Sequence, residues 1–323
     1  MAILVTGSAG HLGEALMRTL AADQRAAIGI DILASPFTTH VGSIVDRAFV
    51  RRHMAGMHTV LHAATLHKPH VATHNRQEFV DVNITGTLNL LEEAVAAGAK
   101  AFVFTSTTSV FGDALIPPAG APAAWITEDG TPVPKNIYGA TKAAAEDLCQ
   151  LFHRNHGLAC LVLRTSRFFP EQDDNPDVRA AYADANVKTN EFLARRVDIE
   201  DVVRAHLLAA DQAPARGFGK YIISATTPFR PEDLAELRAD APRVLRRRVP
   251  EFAAEYARRG WRMFPGIDRV YVNARARAEL GWQPGHDFAA VIARSRAGEE
   301  LASPLARVIG QKGYHAGALA EGR

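Results

Sequence analysis

The stretch AILVTGSAGHLG, residues 2–13, decides the fold that we expect for this chain. Its first part, residues 2–6, is a short apolar run that ends at glycine, which is typical of a buried parallel strand. The second part has three glycines, and an amphipathic helix follows it. Gly7 permits a tight turn, Gly10 allows the backbone to approach a pyrophosphate, and Gly13 lets the helix pack closely on the strand. The helix N-terminus would offer N–H groups and a positive dipole end to that anion.

A carboxylate at the end of the next strand indicates which dinucleotide would bind. Residues 26–30 form a second apolar run that ends in Asp31, 24 residues after Gly7. An acid in this position accepts hydrogen bonds from ribose hydroxyls and repels a 2′-phosphate, and no arginine follows closely to bind that phosphate. A glycine-rich turn without a ligand is the alternative. Because strand, glycines, helix and acid occur together, the sequence predicts NAD rather than NADP.

Strand-like and helix-like segments continue to alternate along the chain. The further strands are expected near residues 41–44, 58–64, 101–104, 159–164 and 221–224. This alternation predicts an α/β fold, a Rossmann-like doubly wound parallel sheet with a smaller C-terminal substrate-binding region. We place the NAD-binding domain, including the catalytic helix, at residues 1–166. Residues 167–323 are expected to form mainly the substrate-binding region, with some segments returning to the main sheet.

Two residues four apart, Tyr138 and Lys142 in the sequence YGATK, are the candidate catalytic pair. On a helix they would project from the same face. An ammonium beside a phenol favours the phenolate, so the tyrosine proton would become available nearer neutral pH. Five hydroxyl residues, 105–109, follow the strand over 101–104, at the sheet edge where open α/β sheets bind ligands. One of them would hold a substrate oxygen while Tyr138 exchanges its proton, although a plain serine/threonine turn also explains the run.

Composition argues against several other classes of function. The chain has 323 residues and a formal net charge of +2, which gives no global field for nucleic acid or a membrane surface. Cys149 and Cys160 sit in helix-like and strand-like patterns, which argues against a disulfide framework and favours a reducing cytoplasm. The chain begins directly with a strand pattern rather than a secretory signal, and no stretch approaches 18 uninterrupted apolar residues. We expect a cytoplasmic protein with a small-molecule substrate and no nucleic-acid or membrane partner.

Together, these motifs resemble an extended short-chain dehydrogenase/reductase of the NAD-dependent epimerase/dehydratase family. The resemblance runs over almost the whole chain and implies a homodimer. The matching stretches are GSAGHLG at 7–13, Asp31, HAAT at 62–65, NITGTLNLLEEA at 83–94, TSTTSVFG at 105–112, YGATK at 138–142 and ARAELGWQP at 276–284.

The resemblance also implies roles for individual residues. Tyr138 is the acid/base, Lys142 binds the nicotinamide ribose and tunes the tyrosine, and Thr107 is the catalytic hydroxyl. Asn83 falls on a cofactor-contacting asparagine, and residues 43–44 fall on an adenine-contacting pair in which serine replaces the usual aspartate. The expected cofactor-binding residues are Gly7, Gly10, His11, Leu12, Gly13, Asp31, Ile32, Ser43, Ile44, Ala63, Ala64, Asn83, Tyr138 and Lys142.

Two departures from the resemblance narrow the reaction. Dehydratases of this family carry T-D-E where this chain has Thr-Thr-Ser at 107–109, without the carboxylates that eliminating water needs. Only 24 residues, 172–195, are available where nucleotide-sugar epimerases hold the uridine diphosphate. We therefore favour an NAD-dependent oxidoreductase acting on a secondary alcohol or ketone of a sugar-like substrate. A UDP-sugar 4-epimerase with the same Thr/Tyr/Lys residues and a non-catalytic NAD-binding redox sensor are the alternatives.

Several other groups carry further hypotheses. We interpret His62 as a packed strand residue rather than a catalytic one. The loop over His67–His70 is either a wall of the substrate site, a metal site or a solvated loop, and the family chemistry needs no metal. The basic run Arg243–Arg248 is either a solvated face or an anion clamp. Further polar candidates for the substrate pocket are Arg167, Asn175, Asn190 and Glu191.

Overall fold

A seven-stranded parallel sheet forms the centre of the structure, a computed structural model that describes residues 2–313. The strands are β1 (Ala2–Thr6), β2 (Ala27–Asp31), β3 (His40–Val41), β4 (Met57–His62), β5 (Ala101–Thr107), β6 (Ala124–Ile126), β7 (Cys160–Thr165), β8 (Phe218–Ile223) and β9 (Arg269–Tyr271). The order in the main sheet is β3-β2-β1-β4-β5-β7-β8, and β6 pairs with β9 in a second, small parallel sheet. Strands β2 and β3 thus follow β1 on one side of the sheet, and β4 and the later strands lie on the other side of β1. This is the doubly wound α/β fold predicted from the sequence.

Helices connect the strands and cover both faces of the main sheet. The α-helices are α1 (His11–Ala22), α2 (Arg47–Met54), α3 (Arg76–Val80), α4 (Gly86–Ala96), α5 (Ile137–His156), α6 (Pro176–Ala181), α7 (Asp184–Glu191), α8 (Ile199–Arg216), α9 (Leu234–Ala239), α10 (Ala241–Arg248), α11 (Phe252–Arg259), α12 (Ala274–Leu280), α13 (Phe288–Ala297) and α14 (Pro304–Ile309). Short 3₁₀ segments are Lys68–Ala72, Thr108–Leu115 and Pro231–Asp233, and a π-helical turn, Asp81–Thr85, joins α3 to α4. Within the described residues, none of these helices combines the length and apolar character needed to cross a bilayer.

The inner strands of the main sheet are covered by helices on both faces, and most of their central residues are apolar. In β1, Ile3 and Val5 face the core that contains α1 and α8, whereas Leu4 faces the core that contains α2, α4 and α5. In β5, Val103 and Phe104 divide between the same two cores. Successive side chains of a strand point to opposite faces, so a strand covered on both sides needs a continuous apolar run. This is why short unbroken apolar runs were sufficient to predict the strands.

The C-terminal region has a core of its own but returns elements to the main sheet. Helices α9, α10, α11 and α13 surround a separate apolar cluster, whereas α8 and β8 pack in the main sheet layer. The small sheet joins the two parts of the chain, because Trp125 of β6 pairs with Val270 of β9. The strands predicted from the sequence include neither β6 nor β9. Three-residue strands leave little pattern, and their pairing depends on a partner far away in the sequence.

The last described segment docks on the main domain. Helix α14 packs against α1 and α8, and its residue Ile309 belongs to their shared core. This helix begins with the Ser303 hydroxyl accepting a hydrogen bond from the amide of Ala306 at 3.1 Å. The segment therefore contacts the helix that follows the glycine loop.

Candidate active site

Residues that the sequence places in the cofactor and catalytic sites converge on one cleft at the carboxyl edge of the main sheet. The cleft has a volume of about 700 Å³ and is lined by the loops that follow β1, β2, β4, β5 and β7. In open α/β sheets, ligands bind at this edge where the strand order reverses, as it does between β1 and β4. The predicted residues that line the cleft are Gly7, Gly10, His11, Leu12, Gly13, Asp31, Ile32, Ser43, Ile44, Ala63, Ala64, Thr107 and Tyr138.

The glycine loop between β1 and α1 leaves room for an anion at the start of the helix. Gly7 has a φ of 72°, and a Cβ on it would lie 2.7 Å from the backbone nitrogen of Ala64. A Cβ on Gly13 would lie 1.9 Å from the carbonyl oxygen of Gly7, so only glycine lets α1 pack this closely. Gly10 is the N-cap of α1 and supplies no side-chain acceptor. Since first-turn amides have no partner within a helix, this helix start suits a pyrophosphate.

The carboxylate of Asp31 holds the glycine loop at the end of β2. Its Oδ2 accepts a hydrogen bond from the amide of Ala9 at 3.0 Å, and its Oδ1 accepts one from the amide of Leu33 at 2.9 Å. Ile32 and Leu33 line the cleft beside it with largely exposed side chains. Each carboxylate oxygen can accept a second hydrogen bond, so Asp31 keeps capacity for ribose hydroxyls. The structure adds this anchoring role to the binding role predicted from the sequence.

A buried hydrogen-bond chain fixes the end of β4 against the glycine loop. The Thr6 hydroxyl lies 2.8 Å from Nδ1 of His62 and accepts hydrogen bonds from the amides of Ala63 and Ala64 at 3.2 and 3.1 Å. On the other side of the ring, Nε2 of His62 lies 2.9 Å from the hydroxyl of Thr87. Burial lowers the pKa of His62 well below its usual value, so the ring is neutral near pH 7. His62 is therefore a packed strand residue, as the sequence analysis interprets it.

Tyr138 and Thr107 reach the cleft from α5 and β5. The Asn136 side chain accepts a hydrogen bond from the amide of Gly139 at 3.0 Å, which starts α5 immediately before Tyr138. The Thr107 hydroxyl accepts one from the amide of Ser109 at 3.1 Å. Burial raises the pKa of Tyr138 to about 12, and a hydrogen bond with Thr107 opposes part of that rise. The protein alone therefore keeps the phenol protonated at neutral pH.

Lys142 lies one helical turn after Tyr138 but below the cleft rather than in its lining. It is 3% exposed, and its Nζ lies 4.0 Å from the centre of the Phe104 ring. Burial lowers the pKa of Lys142 to about 7, against the effects of Cys149 and Glu146. The spacing of Tyr138 and Lys142 predicts that the lysine lowers the pKa of the tyrosine. In the structure, burial outweighs any such effect, because it disfavours the charged form of both groups.

Glu146 connects α5 to β7 through a buried ion pair and to β5 through a hydrogen bond. Glu146 accepts hydrogen bonds from the hydroxyl of Ser106 at 2.6 Å and from Nη2 of Arg164 at 2.8 Å. Both charged side chains are almost fully buried, and such charges are stable only when paired. The contact therefore fixes α5, β5 and β7 relative to one another. Glu146 is not among the residues predicted from the sequence, although its spacing of four from Lys142 places it on the same helix face.

Asn83 lies behind the cleft, where its amide is used within the protein. Its Oδ1 accepts hydrogen bonds from the Thr65 hydroxyl and the Leu66 amide, both at 2.9 Å. Its Nδ2 donates to the Leu66 carbonyl at 2.9 Å and to the Thr141 hydroxyl at 3.0 Å. Asn83 thus holds the loop after β4 against α5 from the π-helical turn. The contact with the cofactor that the resemblance implies stays a prediction.

His11 belongs to an ionic group that involves the C-terminal segment. Its Nε2 lies 2.9 Å from Oε1 of Glu171, which also accepts a hydrogen bond from the amide of Lys312 at 3.1 Å. The Lys312 side chain forms an ion pair with Glu14 of α1. Burial alone would raise the pKa of Glu171, but His11 and backbone donors hold it at about 2. Neither Glu171 nor Lys312 has a signal in the sequence, because their contacts join distant parts of the chain.

Residues 3–223 match the NAD dependent epimerase/dehydratase family. This range includes almost all of the main sheet and the cleft residues that follow its strands. The chain belongs to this family. Both the recognition of an extended short-chain dehydrogenase/reductase and the assignment as an enzyme are thereby confirmed. NAD is the cofactor, as predicted. A glycine cradle at a helix start, with an acid at the end of the neighbouring strand, fits this dinucleotide.

Similar proteins differ in what they are named for. A UDP-glucose 4-epimerase of Streptomyces lividans is 25% identical over 90% of this chain and 93% of its own length. An uncharacterized protein of Sinorhizobium fredii is 32% identical over half of this chain, and the match covers only 39% of that relative. A short-chain dehydrogenase/reductase superfamily protein from Agrobacterium tumefaciens, solved with bound NAD, superposes with a TM-score of 0.65 at 24% identity, covering 92% of this chain and 98% of that one.

Two further groups from the sequence analysis have definite places in this family member. The loop over His67–His70 lines the cleft, and Nδ1 of His70 accepts a hydrogen bond from the amide of His67 at 3.0 Å. Over residues 2–313, no three His, Cys, Asp or Glu side chains converge closely enough to hold a metal ion. The basic run lies outside the cleft lining, where Arg247 and Arg248 form ion pairs with Asp233. The run is thus part of a charged surface of the C-terminal region.

Proposed function

We propose that this enzyme transfers a hydride between NAD and a secondary alcohol or ketone of a sugar-like substrate, with Tyr138 as the acid/base. The observation that carries the proposal is the placement of Tyr138 and Thr107 in the same cleft as the glycine cradle. A hydroxyl and a phenol that interact with each other can both reach one substrate oxygen. Bound NAD would accept or return the hydride and carry a positive charge in its oxidised form.

The proton would be held and moved at the phenolic oxygen of Tyr138. Since burial keeps the pKa of this phenol at about 12, it is a proton donor at neutral pH, suited to protonating an alkoxide formed from a ketone. In the opposite direction the phenol must first lose its proton, which a nearby positive charge favours. Lys142 would support this step from the same helix face, as the family resemblance implies.

Dehydration fits the described residues less well than hydride transfer alone. The positions after Thr107 are Thr108 and Ser109, which supply hydroxyls rather than carboxylates. Among the described residues that line the cleft, the carboxylates are Asp31, which holds the amides of Ala9 and Leu33, and Asp174 and Glu191, which are each paired with a basic side chain. Eliminating water requires an acid and a base placed at the substrate in addition to the tyrosine.

A UDP-sugar 4-epimerase is the second candidate, and the match to the Streptomyces lividans enzyme over nine-tenths of this chain favours it. An epimerase would oxidise and then reduce one substrate with the same Thr107, Tyr138 and Lys142. The segment 172–195 forms α6 and α7 and contributes Asp174, Glu191 and Arg195 to the cleft, leaving a short stretch for a nucleotide. We also propose the homodimer that the resemblance implies, which sedimentation of the purified protein would test.

The two candidates differ in whether reduced cofactor is released. Purified enzyme with NAD would be incubated with free sugars, sugar acids and UDP-sugars, while nicotinamide absorbance and product stereochemistry are followed. Net formation of NADH supports the oxidoreductase, and interconversion of UDP-sugars without net NADH supports the epimerase. If neither change occurs with any substrate of the three groups, both candidates lose their support.

A further inference from the structure

The basic side chains that line the cleft are almost all neutralised by carboxylates. Among the described residues of the lining, four of the five lysines and arginines form ion pairs at 3.0 or 3.1 Å. These pairs are Lys68 with Asp174, Lys135 with Asp113, Arg167 with Asp173 and Arg195 with Glu191. Arg269 is the fifth, and over residues 2–313 no carboxylate forms an ion pair with it. Even the adjacent Asp268 is engaged elsewhere, by Arg238 at 3.2 Å.

The described part of the chain holds Arg269 in place without supplying an acceptor for its guanidinium. Arg269 begins β9, where it pairs with Ala124 of β6, so its backbone is fixed in the small sheet. Its guanidinium carbon lies 6.0 Å from the centre of the Tyr271 ring, and Tyr271 also lines the cleft. Its Nε is buried and has no hydrogen-bond partner among residues 2–313. Buried polar groups are normally satisfied, so an unpaired donor at the wall of a ligand cleft points to the ligand.

We propose that Arg269 binds an anionic group of the substrate, a carboxylate or a phosphate. This inference rests on the proposed function, because it assigns the substrate class of the same cleft. A guanidinium offers a planar set of donors that matches both groups, and charge-assisted hydrogen bonds are stronger than neutral ones. Because the carboxylates of the four ion pairs bind other basic side chains, the positive charge of Arg269 is available to the ligand. The substrate is therefore an acidic sugar derivative, such as a sugar acid, a sugar phosphate or a nucleotide sugar, rather than a neutral sugar.

Calorimetry on the full-length protein with NADH present would test this binding. The probes are glucuronate for a carboxylate, glucose 6-phosphate and UDP-glucose for phosphates, and glucose as the neutral reference. We expect at least one anionic probe to bind more tightly than glucose, and Arg269→Met to weaken that probe at least about tenfold without changing the weak binding of glucose. Arg269→Lys should restore part of the lost affinity, because lysine keeps the positive charge but lacks the planar set of donors of a guanidinium.

A matched control removes an arginine that lies outside the cleft. Arg246 is exposed on α10, so Arg246→Met changes the net charge equally but should leave every probe affinity within about twofold. Thermal melting and NAD affinity of both variants would establish that folding and the cofactor site are intact. The proposal is overturned if no anionic probe binds, if Arg269→Met leaves all anionic affinities unchanged, or if Arg246→Met has the same effect.

Activity measurements separate this inference from the proposed function. If an anionic probe requires Arg269 for binding but no probe undergoes oxidation or epimerisation, the anion site stands and the proposed function fails. Suppose that wild type and Arg269→Met oxidise glucose equally well and prefer glucose over its acidic derivatives to the same extent. The proposed function then stands and the anion site fails. Comparing the loss of glucuronate affinity in Arg269→Met with the loss of affinity for the two phosphate probes identifies which anion the site binds.

Discussion

The side-chain nitrogen of Lys142 lies 4.0 Å from the centre of the Phe104 ring, beneath the cleft that Tyr138 lines. An ammonium over a ring face gains some electrostatic stabilisation, but far less than water provides. Burial therefore lowers the pKa of Lys142 to about 7, with the nearby Cys149 and Glu146 opposing the change. The enzyme thus holds this lysine near the point where it exchanges its own proton.

The lowered pKa of Lys142 predicts a pH dependence of stability. An unfolded lysine titrates near 10.5 and the folded one near 7, so the unfolded state binds more protons between these values. The unfolding free energy is therefore highest above about pH 10.5, where the lysine is neutral in both states. It decreases as the pH falls towards 7. Relative to Lys142→Met, wild type should gain a few kcal/mol of unfolding free energy between pH 7 and 10, at about 1.4 kcal/mol for each pKa unit. Urea unfolding at several pH values measures this, with exposed Lys100→Met as the control, and parallel profiles for wild type and Lys142→Met would refute it.

The Thr107 hydroxyl should matter for turnover more than for binding. Thr107→Val removes the hydrogen bond to Tyr138 and the contact we propose with the substrate oxygen, while it keeps the side-chain shape. We expect kcat to fall by about 100-fold with NAD affinity unchanged, and Thr107→Ser to retain most activity. Steady-state kinetics on all three proteins provide the comparison. Equal loss in the serine and valine variants would show that packing, rather than the hydroxyl, is what Thr107 supplies.

Substitution of Gly13 should damage the cofactor cradle by forcing α1 away from the loop. A Cβ on Gly13 would meet the backbone of Gly7 at 1.9 Å, and backbone cannot rotate aside as a side chain can. Gly13→Ala should lower the unfolding free energy by about 1–3 kcal/mol and weaken NAD binding at least tenfold. Gly285→Ala is the matched control, because the nearest atoms to a Cβ there are 3.7 Å away. Similar behaviour of the two alanine variants in denaturation and NAD titration would contradict the close packing.

Asp31 should determine the preference for NAD over NADP. Its negative charge opposes a 2′-phosphate, while its two oxygens also hold the amides of Ala9 and Leu33. Asp31→Asn removes the charge and keeps one acceptor oxygen, so the ratio of the two dissociation constants should shift towards NADP by at least about tenfold. Fluorescence titration of both cofactors measures that ratio. An unchanged ratio would mean that Asp31 only anchors the loop.

Much of the main sheet was predictable from sequence because its signals are local. The apolar runs, the three glycines and Asp31 lie within the first 31 residues and specify a strand, a turn and a helix without reference to the rest of the chain. Asn83 lies within the π-helical turn between α3 and α4, and Gly86 is the first residue of α4. A Cβ on Gly86 would lie 2.6 Å from the Ile44 side chain, which explains the small residue there.

The missed features depend on contacts between distant residues. Glu146 with Arg164, and Glu171 with Lys312, are pairs that only the folded chain brings together. The position of Lys142 below the cleft follows from the Phe104 ring, whose role is not visible from the spacing of Tyr138 and Lys142. Arg269 could have been found in the sequence only as one of many arginines, because its significance lies in having no carboxylate partner within the described residues.

The most direct test of the account compares wild type with Tyr138→Phe in a single turnover. NAD binding would be titrated for both, and the rate of nicotinamide reduction would then be followed with the best substrate from the sugar, sugar-acid and UDP-sugar groups. The account predicts equal NAD affinity and a reduction rate at least about 1000-fold lower in the variant, because only the phenolic oxygen is removed. A Tyr138→Phe enzyme that reduces NAD at the wild-type rate would contradict the role of Tyr138 as the acid/base.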